Sequence, residues 1–68
     1  MIMPYIKSRL KVLRAEKDMT QEDLGKAVGV ARQTIIAIEK GDYVPSLLLG
    51  LKLARYFKKT VEEVFLLE

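Results

Sequence analysis

The sequence predicts a compact all-α fold of five short helices, and three observations predict it. Apolar residues recur at i, i+3 and i+4 in successive runs. Hydroxyl residues suited to N-capping precede four of these runs: Ser8, Thr20, Ser46 and Thr60. The breaks between runs are only a few residues long, as in a helical bundle.

Ser8 is positioned to cap a first helix over 9–17, with Leu10, Leu13 and Val12 facing inward and Arg9, Lys11, Arg14 and Lys17 on the other faces. Asp18 and Met19 form a break. Thr20-Gln21-Glu22-Asp23 opens a second helix as a capping box with Asp in place of Glu. Leu24, Ala27 and Val28 form its inner stripe, and Gly29 suits the left-handed position that ends it. Val30 and Ala31 make a turn into a third helix over 32–40, whose inner positions are Ile35 and Ile38 and which Gly41 stops.

After a loop at 42–45, Ser46 caps a fourth helix over 47–57. Its predicted inner face is Leu47, Gly50, Leu51, Ala54 and Phe57. Thr60-Val61-Glu62-Glu63 is a full capping box for a short fifth helix, with Val61, Val64 and Phe65 packing back. Two terminal segments, 5–7 and 65–67, suit short strands that could pair with each other.

The whole chain of 68 residues is read as one domain. A domain of this size has a marginal core, and self-association is one way to support it. The other usual supports are excluded. There is no cysteine, hence no disulfide or thiolate metal site, and no histidine, the commonest metal ligand and acid–base catalyst. Neither a metal nor a cofactor is expected. Met1-Ile2-Met3 is too short for a signal peptide and is interrupted by Pro4. No apolar run approaches the ~20 residues that span a bilayer, so a cytoplasmic, soluble protein is expected. The formal charge is +3, unevenly spread: residues 1–59 hold all 12 basic side chains, whereas 60–68 carry three acidic ones and no basic one. A basic body with an acidic end suits a polyanionic partner.

Residues 21–40 satisfy a specific geometry. Two helices crossing steeply through a tight turn need a small residue where they approach, and Gly25 is there. They need a residue tolerant of left-handed angles in the turn, and Gly29 is there. Leu24, Val28, Val30, Ile35 and Ile38 supply the apolar lining.

These residues carry a resemblance to the Cro/repressor family of helix-turn-helix regulators, also called Xre-like or lambda-repressor-like. The matching stretches are Thr20-Gln21-Glu22-Asp23-Leu24, Gly29-Val30, Arg32-Gln33-Thr34-Ile35, Ile38-Glu39-Lys40-Gly41 and Pro45-Ser46-Leu47. The resemblance runs from about Ser8 to Phe65, and is to minimal members without a ligand-binding domain. Three positions depart from the family pattern. Ala31 stands where a hydroxyl usually caps the recognition helix, Leu48 where a polar residue is usual, and Lys58 where glycine is common.

The resemblance implies that the third helix lies in the major groove of double-stranded DNA. At 100° per residue, Arg32, Gln33, Ile36, Ala37 and Lys40 share its outward face. Arg32 matches guanine O6/N7, Gln33 matches adenine N6/N7, and Ile36 or Ala37 suits a thymine methyl. The resemblance implies phosphate contact by Gln21 and its neighbouring amides. Thr34, Lys40, Gly41 and Tyr43 are further candidates. It also implies an ion pair between Arg14 and Glu39 that fixes the third helix. Leu48, Leu49, Tyr56, Leu66 and Leu67 exceed the needs of so small a core and are expected at a homodimer interface. The expected function is a dimeric transcriptional repressor on a palindromic operator, without a small-molecule ligand. Catalysis has no recognisable residues; Glu62 and Glu63 read as cap and surface. The competing reading is an antitoxin or adaptor of the same fold.

Overall fold

The structure is a computed structural model and describes residues 5–68. The reading of Met1–Met3 lies outside the described residues. The described chain runs β1 (Ile6–Ser8), α1 (Leu10–Glu16), α2 (Gln21–Val28), α3 (Arg32–Lys40), α4 (Leu47–Tyr56), α5 (Val61–Val64) and β2 (Phe65–Leu67). The two strands pair antiparallel, with Ile6 opposite Leu67, Lys7 opposite Leu66 and Ser8 opposite Phe65. Reciprocal bonds of 2.8 Å between the backbones of Tyr5 and Glu68 extend the ribbon by one residue. No described helix is long and apolar enough to cross a membrane.

The capping boxes form as the sequence predicts. Thr20 Oγ1 accepts from the Asp23 N–H at 2.9 Å, and Asp23 Oδ2 accepts from the Thr20 N–H at 3.0 Å. Thr60 and Glu63 do the same for α5. These bonds favour the charged carboxylates, so Asp23 and Glu63 both hold their pKa below the ordinary carboxylate value. Gly29 adopts φ 79° and closes α2. Lys58 adopts φ 57°, the left-handed angle expected where the family favours glycine, and Asp18 shares that geometry at φ 53°.

Gly25 is set by close approach. A Cβ there would meet the Val30 carbonyl oxygen at 2.7 Å. The crowding partner is the backbone of the α2–α3 turn, and the Val30 N–H donates to the Gly25 carbonyl at 2.9 Å. The glycine thus lets the turn fold directly onto α2.

The core is formed by Leu10, Leu13, Leu24, Val28, Ile35, Ile38, Leu49, Leu53, Ala54, Phe57 and Val64. It corrects the predicted face of α4. Leu47 is 75% and Leu51 50% exposed, while Leu49 and Leu53 point inward beside Gly50, Ala54 and Phe57. Leucines occupy almost every direction around the start of this helix, so spacing alone admits both stripes. Val12 and Ala27 are likewise exposed. The start of α1 also differs. Ser8 ends β1, its Oγ accepts from the Leu10 N–H at 3.0 Å, and Arg9 stands at the N-cap without a side-chain bond. The Arg9 N–H is engaged instead by the Val64 carbonyl, at 2.8 Å.

Candidate nucleic-acid interface

Helix α3 has one free end and one anchored end. At its start Ala31 takes the extended N-cap conformation with no side-chain bond, as the sequence implies. Arg32 and Gln33 follow, both exposed. Ile35 and Ile38 hold the opposite face in the core. Ile36 and Ala37 are half-buried, so Ile36 protrudes less than its outward position suggests. Lys40 is exposed at the far end.

The anchor is Glu39. Arg14 donates from Nε to Glu39 Oε2 at 2.6 Å and from Nη2 to Oε1 at 2.9 Å, a two-pronged pair. The two side chains are only 13% and 8% exposed. Arg14 Nη1 also donates to the Met19 carbonyl at 2.9 Å. The hydrogen bond from Arg14 to Glu39 raises the guanidinium pKa against the lowering effect of burial. Gln21 adds a third donor, from Nε2 to Glu39 Oε1 at 3.2 Å. One carboxylate therefore ties α1, the start of α2 and the end of α3 together, while Arg14 also holds the α1–α2 turn.

This network qualifies the expectation for Gln21. Its side chain is half-buried and spends one donor inside the protein. Glu22 and Asp23 occupy the same first turn, so an anion there would be met by backbone amides and the remaining N–H of the Gln21 side-chain amide.

The other phosphate candidates fall at two places flanking α3. Thr34 and Tyr43 line one depression together with Ser46, Leu48 and Lys52. Lys40 and Gly41 line a separate cleft with Tyr5–Ser8. Lys52 and Lys7, which the sequence does not single out, line these two depressions; no local pattern marks either, since the α3 residues beside them are far off along the chain.

The residues assigned to a dimer interface divide. Leu48 at 66%, Leu67 at 73%, Tyr56 and Leu66 are exposed. Leu49 is not: it is a core residue, turned inward by the rotation of α4 described above. Tyr56 is already partly engaged, edge-on to Phe57 at 5.2 Å and beneath the Lys17 ammonium at 5.9 Å. Leu48 and Leu51 share a groove with Val61 and the basic Lys52, Arg55, Lys58 and Lys59, whereas Leu66 and Leu67 belong to the ribbon. Among the described residues no cluster of acidic side chains has the arrangement of a metal site.

Comparison with known proteins gives a consistent result. A family model for the helix-turn-helix matches residues 10–64. An uncharacterized HTH-type transcriptional regulator of Bacillus subtilis, YgzD, is 57% identical over 63 residues, covering 93% of this chain and 96% of its own length. The transcriptional repressor RstR of the cryptic phage CTXphi in Vibrio cholerae is 35% identical over 57 residues, which is 84% of this chain and 51% of RstR. Among solved structures, the restriction-modification controller protein C.AhdI of Aeromonas hydrophila superposes with a TM-score of 0.73 at 34% identity, covering 81% of this chain and 80% of that one. The chain belongs to the helix-turn-helix family of Xre/Cro-like transcriptional regulators.

Proposed function

We propose that the protein is a sequence-specific DNA-binding repressor that acts in the cytoplasm as a homodimer on a palindromic operator. The observation that carries this reading is the exposure of Arg32 and Gln33 together at the free end of α3, while Glu39 locks the other end to α1 and α2. A helix held at one end offers its first-turn side chains to base edges at a fixed angle. Arg32 reads guanine, Gln33 reads adenine, and Ile36 or Ala37 meets a thymine methyl. Backbone amides at Gln21, with Thr34, Lys40, Gly41 and Tyr43, contact phosphates on either side.

One such helix spans too few base pairs to be selective, which is the reason for two copies. The exposed α4 leucines Leu48 and Leu51 are the apolar surface best suited to join them, and a dimer places its two reading helices about 34 Å apart. Repression is supported by the likeness to RstR. A dimer seated on a promoter would repress physically, by excluding other proteins from the duplex it covers.

Selection of bound sites from a random duplex pool tests the reading. The expected product is an inverted repeat with half-sites one helical turn apart, and replacing its thymines by uracil weakens binding at one or more positions. No enrichment, or a single unpaired half-site with a monomer in sedimentation at tens of micromolar, overturns it. The same exposed leucines favour an antitoxin or adaptor as the second reading. That reading expects no sequence-dependent mobility shift at any salt concentration.

A further inference from the structure

The ribbon lies against the reading helix, and this placement has a chemical content of its own. The cleft between them, of about 390 Å³, is lined by Tyr5, Ile6, Lys7 and Ser8 on one side and Glu39, Lys40 and Gly41 on the other. No β2 residue lines it, so the cleft opens on the free edge of β1. In an antiparallel pair, residues alternate between exchanging backbone bonds with the partner strand and pointing those groups away from it. Tyr5 exchanges both bonds with Glu68, and Arg9 donates to Val64. Ile6 and Ser8 therefore turn their N–H groups away from β2, to the side where the cleft lies.

The charges around this edge have one dominant sign. Lys7 and Lys40 are both exposed and uncommitted to any ion pair among the described residues. Glu39 is neutralised by Arg14. Two other carboxylates are near in sequence or register. Asp42 follows Gly41 on the loop. Glu68 follows β2 and pairs its backbone with Tyr5, whose Oη–H donates to the Glu68 Oε1 at 3.5 Å. Glu68 does not line the cleft and its carboxylate is engaged by the Tyr5 hydroxyl, so the charged residues lining the cleft are Lys7, Lys40 and the Arg14-paired Glu39. Amides and two lysines converging beside a helix that enters a groove have the composition of a phosphate contact.

We propose that the seam between β1 and the end of α3 binds a DNA backbone phosphate, with Lys7 as its principal cation and Lys40 beside it. The phosphate flanks the base pairs read by Arg32 and Gln33, so the paired chain ends belong to the DNA-binding surface. This rests on the reading that α3 enters the major groove. It adds a contact from outside the helix-turn-helix unit.

The test uses Lys7→Ala, Lys7→Arg and Lys11→Ala in the full chain, Lys11 being an exposed α1 lysine that serves as a control for general attraction. Folding is checked by circular dichroism, and binding to the selected duplex is measured from 50 to 200 mM salt. Lys7→Ala is expected to lower the salt slope by about one unit, so that the wild-type advantage narrows roughly three-fold across that range. Ethylation of one flanking phosphate ceases to interfere, and Lys7→Arg restores both readouts. A Lys7→Ala protein with wild-type slope and interference pattern, or with only the loss shown by Lys11→Ala, overturns the site while leaving DNA binding intact. Wild-type protein that binds no duplex overturns the DNA reading itself.

Discussion

Arg14 on α1 and Glu39 on α3, twenty-five residues apart, hold each other by two hydrogen bonds of 2.6 and 2.9 Å in a nearly dry seam. Removing Arg14 leaves the Glu39 carboxylate with only the Gln21 amide as a side-chain partner. Breaking one partner of a buried pair costs about 3–5 kcal/mol, whereas an exposed pair is worth at most ~1. Both residues are part-buried, so Arg14→Ala is expected to lower the urea midpoint through a stability loss between these two limits. The Arg14→Ala/Glu39→Ala double variant is expected to recover part of the loss. Unfolding at the wild-type midpoint would make the pair energetically idle.

Gly25→Ala gives a contest between two effects of known size. Alanine gains about 1 kcal/mol over glycine inside a helix. The added methyl would sit 2.7 Å from the Val30 carbonyl oxygen, a backbone atom that cannot swing aside. Overpacking of this kind costs ~1–3 kcal/mol, so net destabilisation is expected. Because the displaced segment is the α2–α3 turn, DNA affinity falls further than stability alone explains. Thermal unfolding and a mobility shift below the unfolding temperature separate the two losses.

Acid sensitivity is expected from the capping boxes. Asp23 and Glu63 have folded-state pKa values below their unfolded ones, chiefly through the backbone N–H bonds from Thr20 and Thr60. A depressed pKa contributes stability that is present above the unfolded value and is lost as pH falls through the folded one. Stability from these groups is thus constant near neutrality and declines from the ordinary carboxylate range downward. Asp23→Asn and Glu63→Gln keep a bonding oxygen but no charge. Denaturant titrations of these variants are expected to show a shallower acid limb than wild type.

Leu48 and Leu49 are neighbours with opposite fates, and substituting each separates assembly from folding. Leu49→Ala opens the core and is expected to cost about 2–5 kcal/mol, with the association state unchanged while the protein is folded. Leu48→Glu touches only an exposed position. It is expected to leave monomer stability near wild type and to abolish dimers in sedimentation. Dimers that survive Leu48→Glu would move the interface elsewhere, the ribbon leucines being the next surface to test.

What could be read from the residues follows how local the determinants are. The α2–turn–α3 unit was legible because Thr20, Gly25, Gly29 and Gly41 each answer a demand set within a few positions along the chain. The face of α4 was not. Leu47, Leu48, Leu49, Leu51 and Leu53 make both of its candidate stripes apolar, and packing in the assembled core selects one. The partnership of Arg14 with Glu39 came from family resemblance, since no spacing rule connects positions that far apart. The Gln21 bond to Glu39 and the shared cleft of Lys7 and Lys40 exist only once α2, α3 and the ribbon are assembled. A reading of periodicity along one segment has no access to either.

The β1–β2 ribbon also orders events in time. Its partners lie 57 to 63 positions apart, whereas α2 and α3 meet across a three-residue turn. Closing a long loop carries an entropic cost that must be met before its contacts give anything back. The helices are therefore expected to assemble first and the ribbon to zip together last. The same pair is the first to fray, so its amides at Lys7 and Leu66 exchange with solvent sooner than those of Ile35 and Ile38. Protection from exchange is expected to fall from α3 outward to the ribbon.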